Sequence, residues 1–83
     1  MSGTNTTIKL DHPFEFAGRK ITEVSLRRPK TKDVVNAKKL TKSDDDFQLT
    51  LICNLAELEP DLLLETDAAD YSKISEVVQG FLS

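Results

Sequence analysis

Residues 8–27 read Ile8-Lys9-Leu10-Asp11-His12-Pro13-Phe14-Glu15-Phe16-Ala17-Gly18-Arg19-Lys20-Ile21-Thr22-Glu23-Val24-Ser25-Leu26-Arg27. Apolar and polar residues alternate on both sides of a single glycine. Ile8 and Leu10 stand against Thr7, Lys9 and Asp11, and Phe14 and Phe16 resume the alternation after Pro13. This is the two-residue period of a half-buried strand. Ile21 to Arg27 repeats it, with Val24 and Leu26 on one face. Ala17-Gly18-Arg19-Lys20 is the predicted turn, with Gly18 free to take a positive φ. Together the two runs predict a β-hairpin over residues 6–28. An isolated hairpin is marginal in water, so the rest of the chain must supply the surface on which it packs.

Beyond the hairpin the apolar period lengthens to that of helices. Arg28-Pro29 ends the second strand. Thr31 is the expected N-cap of a short helix from Lys32 to Leu40, with Asp33 in the first turn, where the helix dipole favours an acid. That helix should bury Val34 or Val35, Ala37 and Leu40, and turn Lys32, Lys38 and Lys39 to water. Ser43 starts the next helix, Asp44 to Leu58, with Asp46 at the third position in a variant of the capping box. Phe47, Leu51, Leu55 and Leu58 recur at helical spacing, while Leu49, Ile52, Cys53 and Ala56 occupy its other sides. A helix apolar nearly all round is either central to the domain or part of a protein interface. Pro60 opens a short helix. Thr66 or Asp67 caps a last helix ending near Leu82, with Tyr71, Ile74, Val77 or Val78, and Phe81 on its core face. The expected fold is α+β: an N-terminal β-hairpin followed by three or four helices in one small domain over residues 1–83. Residues 1–5 are expected to be flexible and 31–83 helical.

Composition argues against catalysis. Of the 83 residues one is histidine and one is cysteine, so disulfide frameworks and cysteine-based zinc sites are excluded. His12 reads as a surface residue at a strand end, and Cys53 as a small hydrophobe rather than a nucleophile. Asp44-Asp45-Asp46 does not fit an EF-hand, which needs glycine where Leu49 stands. Asp67 and Asp70 read as a cap and a first-turn acid. No glycine-rich phosphate loop, paired histidine ligands or nucleophile elbow occurs, so neither enzyme activity nor a cofactor is expected. Residues 1–6 lack the features of a signal peptide, and no apolar run reaches the roughly 20 residues that span a bilayer. The expected location is the cytoplasm, with no membrane partner.

Charge is divided sharply along the chain. Residues 1–42 hold ten of the eleven basic side chains against four acids, and residues 43–83 hold Lys73 against ten acids. The halves carry +6 and -9 within a total of -3, a distribution that speaks to partners rather than to fold. The segment around residues 47–65 imitates a helix-turn-helix, but Pro60–Glu65 presents Asp61, Glu65 and leucines where phosphate demands cations. The basic half has no aromatic residues interleaved as a stacking platform. Nucleic acid is therefore not the expected partner, although a small DNA-binding regulator using the basic half stands as an alternative.

Taken in order, these residues resemble a known family. The elements are Ile8-x-Leu10-x-x-Pro13, Gly18-x-x-Ile21, Val24-x-Leu26-Arg27-Arg28-Pro29, Leu58-x-Pro60, Leu64-x-x-Asp67-x-x-Asp70 and Phe81-Leu82. They are similar to the small tail assembly chaperones of contractile-tailed, Mu-like bacteriophages, over residues 8 to 82. Phe14 departs from the smaller aliphatic residue expected after Pro13, and the run Asp44–Asp46 is a further departure. The resemblance implies a non-enzymatic protein of the host bacterial cytoplasm. It would bind the long, helical, aggregation-prone tape-measure protein during tail morphogenesis and be absent from the mature virion. A permanent small tail component is the alternative within the same setting. Such a task needs an apolar surface with a charged rim. The apolar candidates are Phe47, Leu51, Ile52, Leu55, Phe81 and Leu82, and the electrostatic ones Arg27, Arg28, Lys38 and Lys39. Opposite charges on the two halves also suit head-to-tail self-association. Related phages make a longer chaperone form by a -1 frameshift, and Gly80-Phe81-Leu82 permits the codons GGT TTT TTG, on which a ribosome can slip.

The regulator alternative has a direct test. The expected outcome is no electrophoretic shift of duplex DNA at low ionic strength. A shift that weakens steeply with added salt would instead establish phosphate binding.

Overall fold

The computed structural model describes residues 5–83. The expectation of flexibility concerns residues 1–5, of which 1–4 lie outside the described residues. Strands β1 (Thr6–Phe16) and β2 (Arg19–Leu26) form an antiparallel hairpin, followed by α1 (Thr31–Leu40), α2 (Asp44–Ala56), α3 (Pro60–Leu64) and α4 (Ala68–Leu82). The α+β class and the order of a hairpin and four helices are those expected from the sequence. Among the described residues no helix is long and apolar enough to cross a membrane.

The hairpin turn is tighter than predicted. Ala17 and Gly18 both take positive φ, 52° and 79°, as a two-residue turn matching the strand twist requires. Arg19 and Lys20 therefore belong to β2, opposite Phe16 and Glu15. The ladder breaks farther along. Lys9 pairs with Glu23 and Phe14 with Ile21, so Leu10 to Pro13 oppose Thr22 alone. This excess bulges out of the sheet, and Pro13 has no N–H to offer in any case.

Asp70 resolves the bulge. Its carboxylate is fully buried at the start of α4 and accepts the backbone N–H groups of Asp11 (3.0 Å) and His12 (2.9 Å). Lys73, one turn on, donates to the Lys9 carbonyl and to the Asp11 carboxylate, both at 3.1 Å, and lies 3.5 Å from Asp70. Asp70 is thus more than a first-turn acid: it joins α4 to β1. The capping role belongs to Asp67, which accepts the Ala69 N–H at 3.0 Å. Burial pushes the Asp70 carboxyl up, but the two backbone N–H groups and Lys73 outweigh it and hold the group below the usual carboxylate range.

The other end of the hairpin is fixed by Arg27. Its backbone N–H bonds the Leu55 carbonyl at 3.1 Å, and its guanidinium grips Asp33 bidentately at 2.8 and 3.0 Å. Asp33 also accepts the Lys30 N–H at 2.8 Å, so α1 begins one residue early, with Lys30 rather than Thr31 at the cap. The Arg27 hydrogen bonds, helped by the Lys30 N–H, hold Asp33 at about 2.

Helix α2 is the central element. Leu51, Ile52, Cys53 and Leu55 are buried, and Ile8, Leu10, Val24 and Leu26 of the hairpin join them with Ile74 and Val78 of α4. Ser43 caps α2 as expected, accepting the Asp46 N–H at 3.1 Å. The helix stops at Ala56 rather than Leu58 because Glu57 turns left-handed (φ 56°), and the Leu58 N–H closes back on the Cys53 carbonyl at 3.1 Å. On α1, Ala37 is buried and Val34 half-buried, but Val35 and Leu40 face water.

Replacing Asp70 with Asn swaps one of two carboxylate oxygens for an amide that opposes an N–H donor. The expected result is a melting temperature lower by roughly 5–15 °C, with faster hydrogen exchange at the Asp11 and His12 amides. Acid should also destabilise the wild type. Both Asp33 and Asp70 titrate below their unfolded values, so their stabilisation is present above the unfolded carboxylate range and is lost as pH falls through the folded value, about 2 for Asp33. The Asp33 part is about 2 kcal/mol. Thermal melts between pH 2 and 7 of wild type, D33N and D70N read both contributions. Equal acid sensitivity in all three would contradict the assignment.

Candidate functional site

The residues expected to bind a partner divide into two groups once the chain is folded. Leu51, Ile52 and Leu55 are core: each is at most 2% exposed. This corrects their assignment to a partner surface, because α2 is enclosed by the hairpin and by α1, α3 and α4 and its inward faces have no access to solvent. Arg27 is corrected likewise. Its guanidinium is occupied by Asp33 and serves to hold α1 against the hairpin.

The remaining apolar candidates reach the surface. Phe47, in the first turn of α2, and Phe81, at the end of α4, are half-buried and packed on the core with one side uncovered. Leu82 is 41% exposed. The structure brings the basic candidates to these same rings. Arg28 stands over Phe81, 5.3 Å from its centroid, and Lys38 over Phe47 at 5.9 Å. In each pair a cation covers an aromatic face, an attraction worth about 0.5–1 kcal/mol at an exposed position. The cation keeps the ring in contact with a polar group while the surface is free. Lys39 is exposed on α1.

A groove of about 520 Å³ lies beside Phe47, lined also by Lys38, Thr41, Lys42, Gln48 and Gln79. Gln79 donates to the Gln48 side chain at 3.0 Å, tying α4 to α2 at its floor. The groove is mixed in character: one aromatic edge, two lysines, the Asp44 carboxylate and two amides. It suits the apolar stripe of a helix flanked by polar residues better than a small molecule.

His12 is exposed and lies 4.0 Å from Asp67. Burial pushes the Cys53 thiol up, away from the thiolate needed for reaction. Among the described residues no group of three or more His, Cys, Asp or Glu side chains converges to hold a metal ion.

Two exposed apolar residues were not anticipated as surface: Leu40 and Leu64, 76% and 67% exposed. A signal for Leu64 was present in the run Leu62-Leu63-Leu64. Three consecutive residues of a five-residue helix span too wide an arc to face one core, and Leu62 and Leu63 take the inner positions.

Searches against curated proteins and against solved structures gave no match. A family model did match, over residues 7–83, and its description is phage tail assembly chaperone proteins, E, or 41 or 14. The match takes in both strands and all four helices, and with them the hairpin bulge, Asp70 and the paired cation–aromatic surface. The chain belongs to the phage tail assembly chaperone family.

Proposed function

We propose that this protein binds the tape-measure protein of its phage while the tail is being built and is absent from the finished virion. The observation that carries this reading is the family membership over residues 7–83. The work is done in the host bacterial cytoplasm and is binding, not catalysis.

The geometry supports the reading in a specific way. A tape measure is a long helix with apolar stripes that aggregate until the tube encloses them. Phe47, Phe81 and Leu82 offer apolar area to such a stripe, and Arg28 and Lys38 stand at its edge. When a stripe arrives, the two long basic side chains can swing off the rings and pair with acidic residues flanking the stripe. The three apolar side chains are few, so a single contact is weak, and protection of a long partner calls for many copies. Weak single contacts also suit a protein that growing tube must displace. The Arg27–Asp33 pair takes one strong cation out of the surface, which weakens the alternative of a DNA-binding regulator.

Co-expression with the tape-measure protein of the same phage, followed by tag purification and light scattering, tests the proposal. The expected outcome is a soluble complex, from a tape measure that is insoluble when expressed alone. Leu82→Asp and Phe81→Ala should each weaken the complex by roughly 5- to 30-fold, about 1–2 kcal/mol. Circular dichroism of the variants separates this loss from unfolding. Mass spectrometry of purified virions should find the tape measure and not this protein. Its presence there would favour a permanent tail component. A tape measure that stays insoluble both with this chain and with any frameshifted longer form would overturn the proposal.

A further inference from the structure

A groove of about 510 Å³ opens between α2, α3 and α4, and none of Phe47, Phe81 and Leu82 lines it. Its apolar walls are Leu49 of α2, Leu63 and Leu64 of α3, and Tyr71 of α4. Leu64 is 67% exposed there, and Leu49 and Tyr71 are half-buried. Asp45 and Asp46, in the first turn of α2, are its charged lining residues, and no basic side chain lines it. Both carboxylates are exposed, and among the described residues neither takes part in an ion pair. Tyr71 differs from the other two aromatic residues on the helices. Arg28 covers Phe81 and Lys38 covers Phe47, while among the described residues no cation stands over Tyr71. An aromatic ring beside two carboxylates attracts a cation through its quadrupole and through their charge.

An apolar groove with an acidic rim selects an apolar stripe flanked by cations. No helix of a second copy supplies one. α1 is the basic helix of the chain, but its exposed Val35 and Leu40 stand about 140° apart around the axis, with Lys32, Asn36 and Lys39 between them. α2 and α3 have no basic residue, and α4 has only Lys73, which is engaged with Asp11 and Asp70. The helix that fits comes from another protein. We propose that the α2–α3–α4 groove is a second docking site for the tape measure, one that takes a helical stretch whose apolar stripe is flanked by lysine and arginine. Leucine-sized side chains of the stripe lie against Leu49, Leu63 and Leu64, and the flanking cations stand beside Asp45 and Asp46 and over Tyr71. The identity of the partner rests on the function proposed above; the chemistry of the groove does not.

The two docking surfaces then differ in sign. Arg28 and Lys38 stand at Phe81 and Phe47 and suit a stripe with acidic flanks, whereas Asp45 and Asp46 suit one with basic flanks. Like charges exclude the wrong stretch from each. A long helix whose flanking charge changes sign along its length meets a matching surface at both kinds of stretch. One helical segment in a groove is at the small end of interface sizes, so each contact is micromolar or weaker. Charge pairs at the rim make it salt-sensitive.

Two synthetic helical peptides of about 20 residues serve as probes. Both carry one leucine stripe at i, i+3, i+4 and i+7 spacing, flanked by lysine in the first and by glutamate in the second. Calorimetric titration reads affinity, and amide chemical shifts read the place of binding. The lysine peptide should move the Leu49, Leu64 and Tyr71 amides, and the glutamate peptide should leave them unmoved. Leu64→Glu and Asp46→Lys should each weaken the lysine peptide by about tenfold or more. Both side chains are exposed, so melting curves close to wild type should accompany the loss. No binding of the lysine peptide at about 1 mM overturns the proposal. So does binding that leaves those amides unmoved, or that Leu64→Glu does not weaken. Self-association of the wild type that Leu64→Glu abolishes would overturn it in favour of a second copy. Co-expression with the tape measure separates this proposal from the one it rests on. Capture by wild type that Leu64→Glu retains in full overturns the second site and leaves the function standing. A wild type that captures no tape measure, yet binds the lysine peptide in the groove, overturns the tape measure as partner and leaves the groove chemistry standing.

Discussion

A strand that bulges out of its ladder leaves backbone N–H groups that must still find acceptors, and a partner chain of residues cannot be recruited locally to supply them. In this protein the acceptors arrive from 58 and 59 residues away, on the carboxylate of Asp70. Two donors and two acceptors match one to one. Ionised carboxylate oxygens make stronger bonds to N–H groups than neutral carbonyls do. The position of Asp70 in the first turn of α4 adds the favourable field of the helix N-terminus, and Lys73 supplies the countercharge that makes burial tolerable. The same carboxylate also blocks the exposed edge of β1 where the bulge leaves it open, an edge that would otherwise invite another strand.

The hairpin is held at both ends and by different means. Asp70 fixes the bulge to α4, while Arg27 fixes the far end of β2 to α1 through Asp33 and to α2 through the Leu55 carbonyl. Between these anchors the apolar face of the hairpin closes over Leu51, Ile52 and Leu55. Fixing the hairpin in this way positions α1 and α4, and those helices carry Lys38 and Phe81. The cation–aromatic pairs are therefore a consequence of the frame: Arg28 follows Arg27 directly, and stands over Phe81 because Arg27 is already committed.

Much of the frame was legible because it rests on local rules. Alternation defined both strands, Ser43 and Pro60 marked helix starts, and the all-round apolarity of residues 47–58 marked a buried helix. Other features lay beyond local reading. No neighbour of Asp70 announces that its acceptors serve Asp11 and His12, since the bond depends on a bulge that only the packed hairpin creates. Glu57 ends α2 in a conformation usually taken by glycine, held by closure onto Cys53 rather than by its own preference. The surface was half legible. Phe47, Phe81 and Leu82 are on it, but Leu51, Ile52 and Leu55 are not, because a helix apolar on all sides does not say which side remains uncovered. Periodicity likewise left Val34 and Val35 equivalent, and assigned Leu40 to a core that ends one turn before it.

The separation of charge along the chain has a physical consequence in the folded molecule. Ten of the eleven basic side chains lie in residues 1–42 and ten of the fourteen acids in residues 43–83, and the two ionic anchors draw little on either set: Arg27 with Asp33, Lys73 with Asp70 and Asp11. Most charges are thus free of internal partners that would fix them, and they act on what approaches. A protein with one sign of charge over its whole surface repels its own copies. A protein that carries both signs attracts or repels according to which part of it an approaching molecule meets.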